Sequence, residues 1–176
     1  MSGLKSYLER KIEAVRTFRA NAPQDPVERR QTLAASVIAE GESGVRRIRI
    51  RDYQILTDTG PALAGYDLGP RAPEVLLGAL GSCISHTVLI QAALQGIAVD
   101  SLVVEALVDV DSLAGHADII NPVSGIMYTI RIESGTATPE QLQTLNQILP
   151  DICPVLNIVQ FAQPVSSSIV LNGQTI

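Results

Sequence analysis

The sequence predicts an α+β fold in which a long central helix lies on sheet, and three observations predict it. The run PEVLLGALGSCISHTVLIQAALQG, from Pro73 to Gly96, is far longer than a strand and carries start and stop signals of a helix. Other runs, such as Arg47-Ile48-Arg49-Ile50-Arg51, alternate with the period of two that strands require. The order is helix, strands, long helix, strands, helix, strand, which is an α+β layout rather than a regular βαβ succession.

Residues 2–20 fit an amphipathic helix, with Leu4, Leu8, Ile12, Val15 and Phe18 at helical spacing and Lys5, Glu9, Arg10, Glu13 and Arg16 between them. Pro23 and Pro26 end it. Residues 1–31 therefore read as an N-terminal helical extension, and residues 32–176 as the main domain. Within that domain, 32–40 is expected as a strand, Gly41–Gly44 as a turn and 47–51 as a strand with one cationic face. Tyr53–Thr57 extends or follows it. Asp58–Ala72, rich in Gly and Pro, is a crossing loop.

Pro73 suits the first helical position, Glu74 suits the positive end of the helix dipole, and Gly96 suits the stop. Apolar residues all round this helix predict burial on most sides, and Gly78, Ala79, Gly81 and Ser82 would let another backbone come close. Residues 98–110 and 123–133 read as strands. Thr138 caps a helix expected to end near Leu149, where Pro150 and Asp151 interrupt it. Cys153-Pro154 then opens a further turn or two, and 164–171 supplies a last strand.

Composition limits the function. The chain is 46% hydrophobic and 18% charged, enough apolar mass for a packed core. Acidic residues outnumber basic ones, 18 to 13, and aromatics are 3%, so neither a phosphate backbone nor stacked bases find an evident partner. The charged N-terminal segment is no signal peptide, and apolar runs are interrupted before membrane-spanning length, so the expectation is a cytoplasmic protein without a membrane or nucleic-acid partner. In that compartment two cysteines point to redox chemistry rather than a structural staple. With only His86 and His116 to assist them, no metal site and no cofactor are expected.

Cys83 sits mid-helix and reads either as a small buried hydrophobe or as a reactive thiol. His86, three residues on, shares its side of the helix and reads more simply as a core histidine. Cys153 precedes a proline at a helix start, where free backbone N–H groups favour a thiolate; a plain capping cysteine is the alternative. As a pair they could pass from sulfenic acid to disulfide.

The stretch Asp67-Leu68-Gly69-Pro70-Arg71-Ala72-Pro73-Glu74-Val75-Leu76-Leu77-Gly78-Ala79-Leu80-Gly81-Ser82-Cys83 resembles the OsmC/Ohr signature, and Cys153-Pro154-Val155 is similar to that family's second motif. Leu56-Thr57-Asp58 and Ala64-Gly65 fit as well, and the likeness spans 32–171. The resemblance implies an OsmC-like domain over 32–176, with an antiparallel sheet packed on a long central helix in an intertwined homodimer. It also implies a thiol-dependent peroxidase. Cys83 would attack an organic hydroperoxide, Cys153 would resolve it, and a dithiol such as a lipoyl protein would reduce the disulfide.

In the organic-hydroperoxide branch a Glu after the Pro pairs with an Arg from an early strand. Glu74 matches, with Arg46 or Arg47 as candidates beside Arg49 and Arg51; a solvated cationic strand face is the alternative. The interval from Glu74 to Cys83 is one residue short of that branch, so the general OsmC-like branch fits better. Nine helical residues span about 13.5 Å and turn through roughly 180°. Glu74 therefore either caps its own helix, the favoured reading, or serves the partner subunit's site. A non-catalytic small-molecule-binding or redox-sensing protein of the same fold is the alternative function.

Overall fold

A computed structural model describes residues 4–116 and 118–175. The elements are α1 (Lys5–Asn21), β1 (Ser36–Glu40), β2 (Val45–Ile50), β3 (Tyr53–Thr57), a 3-10 turn (Pro61–Leu63), α2 (Ala72–Gln95), β4 (Ser101–Val110), β5 (Val123–Glu133), α3 (Pro139–Ile152), α4 (Pro154–Gln160), β6 (Val170–Leu171) and β7 (Gln174–Thr175). The α+β class is as expected. Among the described residues three sheets form, each antiparallel: β1-β2-β3, β4-β5 and β6-β7.

Helix α2 is the axis of the core. It packs on β4 and is flanked by α1, α3 and α4. Its Leu80, Ile84, Val88 and Ala92 are buried against Leu145, Leu149, Leu156 and Val99. A fully buried Leu of this kind contributes about 1.5–3 kcal/mol relative to an exposed one. By length and composition α2 could also cross a bilayer; here it is the core helix. Its ends follow the sequence: the Glu74 carboxylate accepts the Arg71 N–H at 2.7 Å, and Gly96 adopts the left-handed φ of +67° that ends the helix.

Four expectations need correction. The first strand begins at Ser36, not 32, because β2 turns away at Arg51 and leaves 32–35 without a ladder partner. Pro150 does not interrupt α3, which runs on to Ile152. Leu145 and Leu149 keep that helix anchored in the core, and the exposed Asn146, four residues before the proline, can turn its unpaired carbonyl to water. The strand expected over 164–171 is only Val170–Leu171, one arm of a short hairpin with Gln174–Thr175, while Val165 and Ile169 are exposed. Helix α2 is not buried on most sides, since Leu76, Gly78, Ala79 and Ser82 form an exposed stripe. The helix expected over 2–20 begins at Lys5; residues 2 and 3 lie outside the described residues.

The two larger sheets differ in setting. The β4-β5 inner face (Leu102, Val104, Tyr128, Ile130, Ile132) packs on the core. The β1-β3 sheet makes its main contacts within itself. The register places Val37, Ala39, Arg46, Ile48, Ile50, Tyr53, Ile55 and Thr57 on one of its faces. Val37, Ile50, Tyr53 and Ile55 are exposed there.

Candidate functional site

The site is made where α3 gives way to α4. Cys153 is the C-cap of the first helix and the N-cap of the second, with extended φ/ψ of −91° and 109°. Pro154 has no N–H to continue α3, and its fixed φ suits the first position of α4. Cys153 is 0% exposed and lies in the core; Cys83, on α2, is half-buried and packs against the same cluster. The Cys83 sulfur interacts with the Cys153 thiol and with the Val155 N–H on the first turn of α4. Two thiols far apart in the chain are thus neighbours, both free.

The environment disfavours ionisation of Cys83 in a single chain. Burial pushes its pKa up from the ordinary thiol value, the Val155 N–H partly offsets this, and Cys153 pushes it up further. No cation among the described residues contributes. Tyr128, on the inner face of β5, is also raised, first by burial and then by Cys153. It belongs to an open groove of about 460 Å³ between β5 and α3, lined by Ile130, Ile132, Leu142, Leu145 and Asn146.

The remaining sequence candidates lie elsewhere in the chain. Arg47 is engaged by Glu40 and donates to Gln54 at 2.7 Å. Arg46, on the apolar face of the same sheet, donates to the Gly44 carbonyl at 3.2 Å and stands opposite Thr57. Glu74 is held by the Arg71 backbone N–H and by its guanidinium at 3.1 Å, which makes it a helix cap. None of the three meets the thiols of its own chain. His86 is tied to α1, its Nδ1 lying 3.4 Å from Lys11 Nζ. Lys11 can only donate, so Nδ1 accepts and the proton sits on Nε2. Burial, then Lys11, lowers the pKa of His86. Among the described residues no group of three His, Cys, Asp or Glu could hold a metal.

One positioning residue was visible in sequence only as part of Leu56-Thr57-Asp58. Asp58 is 1% exposed and accepts backbone N–H groups from Thr59 (2.8 Å), Tyr66 (2.9 Å) and Leu68 (3.2 Å). These bonds pull its pKa down and fold the crossing loop onto the end of β3. The loop packs so closely that a Cβ at Gly65 would run into the Thr59 carbonyl, and one at Gly69 into the Leu56 carbonyl. Polar residues in a loop carry no sequence pattern that marks burial, which is why Asp58 did not stand out by itself.

Residues 65–168 match the family described as OsmC-like protein. No curated protein matches the sequence. Among solved structures, an OsmC-like protein from Mycoplasma pneumoniae superposes with a TM-score of 0.63 at 17% identity, covering 75% of this chain and 89% of that one. An OsmC-like protein of unknown function from Vibrio cholerae gives 0.55 at 18% identity, covering 73% and 93%. A Legionella pneumophila organic hydroperoxide resistance protein OsmC gives 0.54 at 12% identity, covering 74% and 90%. At such identities the likeness establishes the OsmC-like fold.

Proposed function

Because the chain belongs to the OsmC-like protein family, we propose that it is a thiol-dependent peroxidase reducing organic hydroperoxides at Cys83, with Cys153 as the resolving thiol. The observation that carries this reading is the pairing itself: a half-buried thiol that a small molecule can approach, in contact with a fully buried one. The Legionella structure, described as an organic hydroperoxide resistance protein, supports the substrate class.

In the proposed cycle the Cys83 thiolate attacks the terminal oxygen of the hydroperoxide. The O–O bond breaks, the alkoxide takes up a proton and leaves as alcohol, and Cys83 becomes a sulfenic acid. The Cys153 thiol then attacks that sulfur, water leaves, and a disulfide forms. A dithiol such as a lipoyl group returns both cysteines to thiols while itself becoming a disulfide. A reducing, cytoplasmic setting suits this cycle.

In a single chain burial works against the thiolate at Cys83. An intertwined homodimer answers this. The open apolar face of β1-β3 and the exposed stripe of α2 are surfaces that a second copy would cover. Arg46 lies on that face, whereas Arg47 is on the opposite one and already neutralised by Glu40. Arg46 of the partner subunit is therefore the cation proposed for the Cys83 site. The raised pKa also favours a second reading, in which the thiols sense oxidants or the protein binds a small molecule without turnover.

Turnover of cumene hydroperoxide and hydrogen peroxide with dihydrolipoamide separates the readings. The peroxidase reading expects activity that vanishes in Cys83→Ser. In Cys153→Ser it expects the cycle to stop at a sulfenic or more oxidised Cys83. Absence of turnover, with both thiols inert to stoichiometric peroxide, would sink it; oxidation without recycling would leave the sensor.

A further inference from the structure

In a continuous helix the Pro150 carbonyl would accept the N–H of residue 154, but that residue is proline and has none. The carbonyl is not left bare. The side-chain amide of Asn157 donates to it at 3.3 Å. The Asn157 backbone N–H donates to the Cys153 carbonyl at 2.9 Å, and the Cys153 N–H donates to the Leu149 carbonyl at 2.9 Å. Asn157 thus spans the break between α3 and α4, bonded to Pro150 in the last turn of α3 and to the cysteine at the break. The Val155 N–H that faces Cys83 lies inside the same span.

We propose that Asn157 is a positioning residue: its amide replaces the helical hydrogen bond that Pro154 cannot make, and so holds Cys153 and the Val155 N–H against Cys83. A helix end followed by an extended cysteine and a proline has a soft angle, because no backbone bond from residue 154 fixes it. Cys153 and Val155 both move with that angle, and both meet the same sulfur. One side-chain bond across the junction therefore sets two properties of Cys83: how readily it ionises and how readily it pairs. This inference rests on the reading that the two thiols react as a pair, and it does not require a peroxide to be the oxidant.

The test uses the full chain and glutathione. Oxidised glutathione accepts two electrons from the dithiol; the Cys83–Cys153 disulfide forms and two reduced glutathione molecules leave. Equilibration at several glutathione ratios, read by mass after alkylation, gives the effective concentration of one thiol at the other. Asn157→Ala removes the amide, and Asn157→Leu removes it while keeping nearly the same size and no charge. Both variants are expected to lower the effective concentration roughly threefold to tenfold, the worth of one hydrogen bond. Both should also change the pH profile of Cys83 alkylation, because the Val155 N–H, which lowers the Cys83 pKa, and Cys153, which raises it, move together with the junction. A folded Leu variant with wild-type effective concentration and wild-type profile overturns the proposal. Because no peroxide is used, a protein without peroxidase turnover still shows whether Asn157 holds the two thiols together.

Discussion

At the scale of single residues, the thiols show how far sequence reasoning reached. Cys83, Cys153, Glu74, Arg46 and Arg47 are candidates by type and position, and Glu74 as a cap needs only the Pro-Glu start of a helix. The meeting of Cys83 with Cys153 could not be read, because it depends on the angle at which α4 leaves α3. The place of Arg46 could not be read either: the strand expected over 47–51 begins at Val45, so Arg46 joins it on the face opposite Arg47. In the lone chain burial raises the Cys83 pKa, so iodoacetamide alkylation of a monomeric variant should climb only above the ordinary thiol range. In the assembled protein, where the partner's Arg46 is the proposed cation, Arg46→Ala should shift the alkylation profile upward. Arg47→Ala, which loses the Glu40 ion pair and the Gln54 hydrogen bond on the opposite face of the sheet, should leave it in place. The opposite ranking in alkylation kinetics would assign the cation to Arg47.

At the scale of elements, periodicity located the helices and strands, and local chemistry misjudged their limits. Pro150 reads as a stop because its missing N–H leaves a carbonyl without a donor. The helix goes on because Leu145 and Leu149, both buried, hold the turns on either side. The crossing loop is the converse case: its Gly and Pro content announced a loop, while its rigidity comes from contacts that pattern cannot show. Gly69→Ala would drive a methyl into the Leu56 carbonyl, and overpacking of this kind costs about 1–3 kcal/mol. Asp58 adds a pH signature. Its folded pKa is lowered from 3.8, so the stability it supplies is full above that value. It is lost as pH falls through the lower folded value. Thermal unfolding across the acid range should therefore show Gly69→Ala less stable at every pH. Asp58→Asn should be less stable near neutrality, with the gap to wild type narrowing as the solution becomes more acid. A gap that stays constant with pH would remove the carboxylate from its place as the anchor of this loop.

At the scale of the whole molecule, the sequence predicted one sheet on one helix, and a single chain delivers only half of that. The β4-β5 ladder lies on α2, while β1-β3 shows an apolar face to the outside. A hydrophobic pattern says that a face will be covered and is silent about which copy covers it, so this part of the fold was not readable from alternation alone. If a second subunit covers the face, assembly and thiol chemistry become one property, because Arg46 travels with the sheet. Val37→Glu and Ile55→Glu test this without touching a cysteine or the core, both positions being exposed in the lone chain. Each variant should keep its helical circular dichroism, because nothing buried within the chain is altered. Each should sediment as a monomer where the wild type sediments as a dimer, since a carboxylate on an apolar interface loses its water without gaining a partner. The same variants should then lose most of their peroxide-driven oxidation of Cys83, in proportion to the fraction of monomer. A monomeric variant that oxidises Cys83 as fast as the dimer would show that the single chain activates its own thiol, and the partner's cation would have no part in the chemistry.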